Sequence, residues 1–251
     1  MGASYLVVGL LLAACSLPDV TFTRLTADAG ADGAGAALRM VTATWSFKHL
    51  ASGATLSCPH STDVARVQYQ PWGGAAQQPT GTLAFTDVAC AAGTGAIMVP
   101  ADVFRMSVSI RSAAGQVLAN SNIEVIDTAR GKDLLEAKLF DDAGYLSLSW
   151  DVVNRSTMAR ISCATAGIKP SDAIEMIESD ATNPGGFTSD AFLCDNHFGA
   201  AGPLPAGHYT LSIGAVKNSS AFGDAVTIGD AQVMASDVVD LGNVKIKVPV
   251  P

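Results

Sequence analysis

Tyr145-Leu146-Ser147-Leu148-Ser149-Trp150-Asp151-Val152 places Leu146, Leu148, Trp150 and Val152 on one face of an extended chain and Ser147, Ser149 and Asp151 on the other. Alternation with a period of two marks a half-buried β-strand. Its tryptophan stands 13 residues before Cys163, and Trp45, in the alternating stretch 38–47, stands 13 before Cys58. The second cysteine of each set follows at 32 residues (Cys58 to Cys90) and 31 (Cys163 to Cys194). A further alternating run opens on an aromatic 14 residues after Cys90 (Phe104) and 15 after Cys194 (Tyr209). Four landmarks in register, about 105 residues apart, define a duplicated unit.

Each unit reads as all-β. Strands are predicted over residues 20–25, 38–47, 64–69, 82–90, 104–110 and 122–126 in the first, and over 134–140, 145–152, 159–162, 173–178, 188–194, 209–215, 225–228 and 243–248 in the second. Residues 171–179 begin like a capped helix yet alternate. Their counterpart 63–70 alternates cleanly, which favours a strand. About seven short strands per unit fit a β-sandwich. The expected organisation is a leader at 1–14, a first sandwich over 15–128 and a second over 129–251. Residues 28–36, all Ala, Gly and Asp, are either a flexible loop insertion or part of a tether spanning 20–37.

Leu204-Pro205-Ala206-Gly207-His208-Tyr209-Thr210-Leu211 resembles a turn of prealbumin-like and fibronectin-like bacterial repeats, in which Pro-Ala-Gly feeds an inward aromatic. Val99-Pro100-Ala101-Asp102-Val103-Phe104 is a version of it without the glycine. The resemblance implies two tandem Ig-like sandwiches of prealbumin or fibronectin type. The antibody pattern does not apply, because each tryptophan precedes both of its cysteines.

Five cysteines are present, an odd number. Among Cys58, Cys90, Cys163 and Cys194, only Cys58–Cys90 with Cys163–Cys194 gives both units the same internal bridge. Paired cysteines imply an oxidising compartment. The fifth, Cys15, ends Leu12-Ala13-Ala14-Cys15 after an apolar run from Leu6, too short to span a bilayer. This resembles the lipobox of bacterial lipoproteins, although residues 1–14 lack Lys and Arg. The resemblance implies cleavage before Cys15, acylation of its thiol, and, with Ser16 following, sorting to the outer membrane. Two or more acyl chains anchor a protein stably.

The net charge of −8 and a charged fraction of 15% argue against nucleic acid or an anionic lipid surface as main partner. His49, His60, His197 and His208 form no metal-binding spacing, and no Gly-x-Ser-x-Gly elbow occurs. The pairs Asp28/Asp32 and Asp237/Asp240 lack the ligand spacing of a calcium loop. No cofactor and no enzymatic activity are expected. Trp45 and Trp150 recur at one repeat position and read as core. Trp72, in Gln70-Pro71-Trp72-Gly73-Gly74, has no counterpart in the second unit. With Tyr69 close by, it is the candidate ligand-binding residue, expected as an exposed indole. Two functional readings follow. One is a lipid-anchored, non-enzymatic structural or protein-interaction module whose partner is another envelope protein. The other is a carbohydrate- or ligand-binding sandwich that uses the loops around Trp72.

Overall fold

A computed structural model describes residues 37–73, 78–183 and 185–250. The expected leader, Cys15, the strand at 20–25, the segment 28–36 and Asp28/Asp32 lie outside them. The described chain is almost wholly β-structure, in two sandwiches.

The first sandwich is built from β1 (Leu38–Lys48), β2 (Val64–Gly73), β3 (Gln78–Pro79), β4 (Ala84–Ala89), β5 (Thr94–Pro100), β6 (Val103–Arg111), β7 (Val117–Asn120), β8 (Glu124–Asp127) and β9 (Leu134–Phe140). Sheet I has the order β5-β1-β9, with β5 antiparallel and β9 parallel to β1. Sheet II has β2 and β6 at its centre, β4 and β3 against β2, and β7 and β8 against β6. Val41, Ala43, Trp45 and Phe47 of sheet I face Ala65, Val67, Phe104, Met106, Val108 and Ile110 of sheet II.

The second sandwich comprises β10 (Ala143–Asn154), β11 (Ala173–Asp180), β12 (Phe187–Phe192), β13 (Phe198–Pro205), β14 (Gly207–Lys217), β15 (Ser220–Val233) and β16 (Val238–Val248). Its pairings repeat those of the first. β13 is antiparallel and β16 parallel to β10, forming sheet III; β12, β14 and β15 complete sheet IV around β11. A single pair, Asp224 with Lys247, joins sheets III and IV. The inward residues Leu146, Leu148, Trp150 and Val152 fill its core, as their alternation requires.

The repeat extends to single hydrogen bonds. Trp45 Nε1 donates to the Cys90 carbonyl at 2.9 Å, and Trp150 Nε1 to the Cys194 carbonyl at 3.0 Å. Both cysteines open a short 3-10 turn, Cys90–Ala92 and Cys194–Asn196. Each indole therefore ties the first strand to the bridge of its own sandwich, which satisfies its one donor in the core. Cys58–Cys90 and Cys163–Cys194 are the two disulfides, each with Cα atoms 6.1 Å apart. A buried aspartate precedes β2 and β11 alike. Asp63 Oδ2 accepts the His60 N–H at 2.8 Å, and Asp172 Oδ2 the Lys169 N–H at 2.8 Å.

The Pro-Ala-Gly turn differs in how it is tied. Tyr209 Oη donates to the Pro205 carbonyl at 2.9 Å. Phe104 has no hydroxyl, and the Thr128 Oγ1 takes over, 2.9 Å from the Pro100 carbonyl and 2.8 Å from that of Asp102. Gly207 is not among the positive-φ residues, so Asp102 fits the same turn.

Two sequence expectations need correction, and two strands went unpredicted. The division at 128/129 falls inside the first sandwich, because β9 pairs with β1 and buries Leu135, Ala137 and Leu139 in the first core. The polar turn before β9 reads as a linker, whereas the true junction is only Asp141 and Asp142. Residues 159–162 form no strand, only an isolated bridge between Val153 and Arg160. β5 and β13, at equivalent places, escaped the sequence reading because Gly and Pro interrupt both (Thr-Gly-Ala-Ile-Met-Val-Pro and Phe-Gly-Ala-Ala-Gly-Pro-Leu-Pro). Residues 171–179 are mostly strand, as their alternation favoured.

Candidate functional site

Outward residues decide where chemistry could take place. The outer face of sheet II carries Trp72 and Arg105; that of sheet III carries Tyr145, Ser147 and Phe198. These two faces meet. The Trp72 ring lies 5.5 Å from that of Phe198, edge to face, and its Nε1 donates to the Asn196 carbonyl at 3.2 Å. The Arg105 guanidinium sits over Phe198 at 4.1 Å and Trp72 at 5.0 Å. Burial pulls the Arg105 pKa below its ordinary value, and the Asp240 carboxylate opposes that. Tyr145 and Ser147 are buried, and Tyr145 Oη donates to the Lys138 carbonyl at 2.8 Å. Burial also pushes the Tyr145 phenol pKa up.

The expectation of an exposed Trp72 indole is therefore not met: Trp72 is 3% exposed. An indole in an irregular, Gly-rich segment reads as a recognition anchor when no neighbouring sheet is in view. Here the second sandwich supplies that sheet. Tyr69 faces inward and packs edge to face on Phe104 at 6.0 Å. Trp72 offers no aromatic face to a ligand, and Tyr69 is partly buried against the first core.

The Asp141–Asp142 junction is clasped by the loop after β1. His49 Nδ1 lies 2.8 Å from Asp141 Oδ1, and Nε2 3.4 Å from Asp142 Oδ2. The Leu50 and Ala51 N–H groups donate to the two oxygens of Asp142 at 2.6 and 3.0 Å. The hydrogen bond to Asp141 raises the His49 pKa. Burial works against the Asp142 carboxylate, but the Ala51 and Leu50 amides and His49 hold its pKa below the usual carboxylate range. These three side chains could offer a metal ion one atom each within 4.8 Å. The contacts present already engage both Asp142 oxygens and both His49 nitrogens, so the group acts as a clasp between the sandwiches. Sequence spacing could not reveal it, because His49 and Asp141 stand 92 residues apart.

The other expected positions are ordinary. His197 is buried with Nδ1 3.0 Å from the Trp150 carbonyl, and His208 lies 2.7 Å from Asp230 on the surface. Asp237 and Asp240 cap their own turns, accepting the Val238 N–H at 2.7 Å and the Gly242 N–H at 2.9 Å.

One ionisable group went unnoticed in the sequence. Glu178 points into the second core from the position that Tyr69 holds in the first. Thr188 Oγ1 donates to its Oε2 at 2.9 Å, and Oε1 has no partner. Burial pushes its pKa up to about 7, against the Thr188 hydrogen bond and with help from Asp190. The inward phase of β11, with Ile174 and Met176 before it, was the available signal.

No family model matches the chain, and no curated protein does. Several solved structures align with most of the chain at low identity. A minor pilin from Streptococcus agalactiae is 14% identical over 85% of this chain and 98% of that one, with a TM-score of 0.26. A shaft pilin from Lactobacillus rhamnosus is 8% identical over 84% and 98%, with a TM-score of 0.25. A candidate adhesin from Bacteroides ovatus is 9% identical over 82% and 88%, with a TM-score of 0.30. At these values the likenesses carry no functional argument. The sandwich assignment rests on the strand pairings above.

Proposed function

We propose that this chain is a lipid-anchored protein of the bacterial envelope, sorted to the outer membrane, whose fused sandwiches act as a non-enzymatic structural or protein-interaction module. One observation carries the reading. Four of the five cysteines are consumed in two equivalent bridges, and the fifth is Cys15, directly after Leu12-Ala13-Ala14. Paired cysteines fit an exported protein, and a lone cysteine at a lipobox-like site fits acylation. A glycan-binding reading that uses Trp72 loses its basis with the indole buried between sheets.

The test is fractionation of the envelope with Cys15→Ser. The parent protein is expected in the outer-membrane fraction, released only by detergent. The variant is expected in the soluble periplasmic fraction with both disulfides intact. Equal partition of the two would overturn the lipid anchor.

A further inference from the structure

The duplication shows what the fold does not require around Glu178. Glu178, Thr188 and Asp190 point into the second sandwich where β11 pairs with β12, Glu178 opposite Thr188 and Asp190 opposite the buried Met176. The equivalent positions of the first sandwich are Tyr69, Ala84 and Thr86. The first sandwich thus closes over an aromatic ring, with no carboxyl group at any of the three places. In the second, Glu178 is 1% exposed, its Oε2 accepts from Thr188 Oγ1, and its Oε1 meets no donor.

The groups around this carboxyl bring no positive charge. On β12 stands Asp190, whose Oδ2 accepts the Gly202 N–H at 3.0 Å. On β11 itself are Glu175 and Asp180, and on β14 is Tyr209, whose hydroxyl is engaged by Pro205. β13 and the inward face of β10 carry no ionisable side chain. Burial, and then Asp190 and Glu175, work against a charge on Glu178. A buried carboxylate without a cation and with one oxygen unserved is costly, so it keeps its proton or reaches water. β12 is the element that can let water in. It stands at the edge of sheet IV, paired with β11 alone, and most of its residues are exposed. Its far end is fastened, by the Asp190–Gly202 hydrogen bond and by the Cys163–Cys194 bridge just beyond. Residues 187–189 have no such hold. β14, the other neighbour of β11, is paired on both sides.

We propose that β12 is a proton-controlled edge strand: while Glu178 keeps its proton, residues 187–189 stay paired with β11, and their opening releases the proton and brings the carboxylate to water. Opening bares the β11 edge at Ile177, Glu178 and Ser179, on which another strand can pair. The closed form holds the Glu178 proton up to about pH 7, and the open form only to the ordinary 4.5. The closed form is therefore fully favoured below 4.5, loses ground as pH rises from there to about 7, and stays at the lower level above. The device goes beyond the interaction-module reading and rests on the second sandwich alone.

The test is amide hydrogen exchange of the full chain at pH 5 and pH 8, corrected for intrinsic exchange and read residue by residue. Protection of the amides that residues 187–189 bond to β11 is expected to fall roughly seventyfold between the two, the ratio given by pKa values of 4.5 and about 7. β14, and β4 at the equivalent place in the first sandwich, should keep their protection. In Glu178→Gln, which cannot ionise, residues 187–189 should be as protected at pH 8 as at pH 5. Protection that does not change with pH in the parent would overturn the proposal. So would an equal fall across β11, β12 and β14, which marks unfolding of the whole sandwich, or the same fall in the Gln variant. Should that variant fail to fold, the contrast between β12 and β4 within the parent decides the matter.

Discussion

Trp72→Ala should uncouple the two sandwiches without dismantling either. The indole belongs to neither core; it is buried between the outer faces of sheets II and III. Removing a packed tryptophan costs about 3–5 kcal/mol where the surroundings cannot collapse. Within that figure lie the hydrogen bond to Asn196, worth about 1 kcal/mol, and the Arg105 contact, worth about 0.5–1 kcal/mol. The change also strands Arg105, whose Nε already has no hydrogen-bond partner. Urea unfolding with disulfides oxidised, followed by far-UV dichroism and by tryptophan fluorescence, reads the effect. The parent should unfold in one transition by both probes. The variant should begin to unfold at lower urea and show two separated transitions, one per sandwich. A single transition shifted by less than about 1 kcal/mol would refute the idea that Trp72 joins the sandwiches.

Glu178→Gln should stabilise the protein at pH 8 and change little at pH 4. The folded state holds the Glu178 proton up to about pH 7, against an ordinary value of 4.5. The folded state therefore binds more protons across that window, and stability falls as pH rises through it, by about 3 kcal/mol in all. Melting curves at the two pH values check this, and an equal response at both would contradict it. Reducing either disulfide should cost about 3–4 kcal/mol, the loops being 32 and 31 residues; denaturant titration of Cys58→Ala/Cys90→Ala and Cys163→Ala/Cys194→Ala variants measures each. Gly144→Ala should lower stability by at least about 2 kcal/mol, because a Cβ there would run into the Met234 carbonyl backbone; a melting temperature unchanged from the parent would show that the loop yields. His49 should titrate above its ordinary 6.5 in NMR, since Asp141 favours its charged form; the clasp is then fully formed below 6.5 and weakens as pH rises through the His49 pKa.

Much of the fold was readable because the strands report their own inner faces. The alternation at Trp150 and the matched cysteine spacings lead to the sandwiches, the bridges and the repeat. What failed had local causes. β5 and β13 carry Gly and Pro, which weaken strand signals although edge strands tolerate them. β9 was given to the wrong sandwich because a polar turn precedes it and only two residues follow it. Trp72 misled for a different reason: its environment is made by a sheet more than a hundred residues away, and no local pattern encodes a contact between two outer faces. The His49 clasp was hidden for the same reason. Glu178 was legible in principle, since the phase of β11 already pointed it inward.

The proposed attachment of the protein to the envelope is through Cys15, with the remaining cysteines closed in two bridges. The most direct test is the intact mass of the N-terminal peptide of protein isolated from membranes. Attachment through Cys15 predicts a peptide that begins at Cys15 and carries a diacylglyceryl group, with or without a third acyl chain on its amine. A peptide that retains residues 1–14, or one that begins at Cys15 with an unmodified thiol, would contradict it.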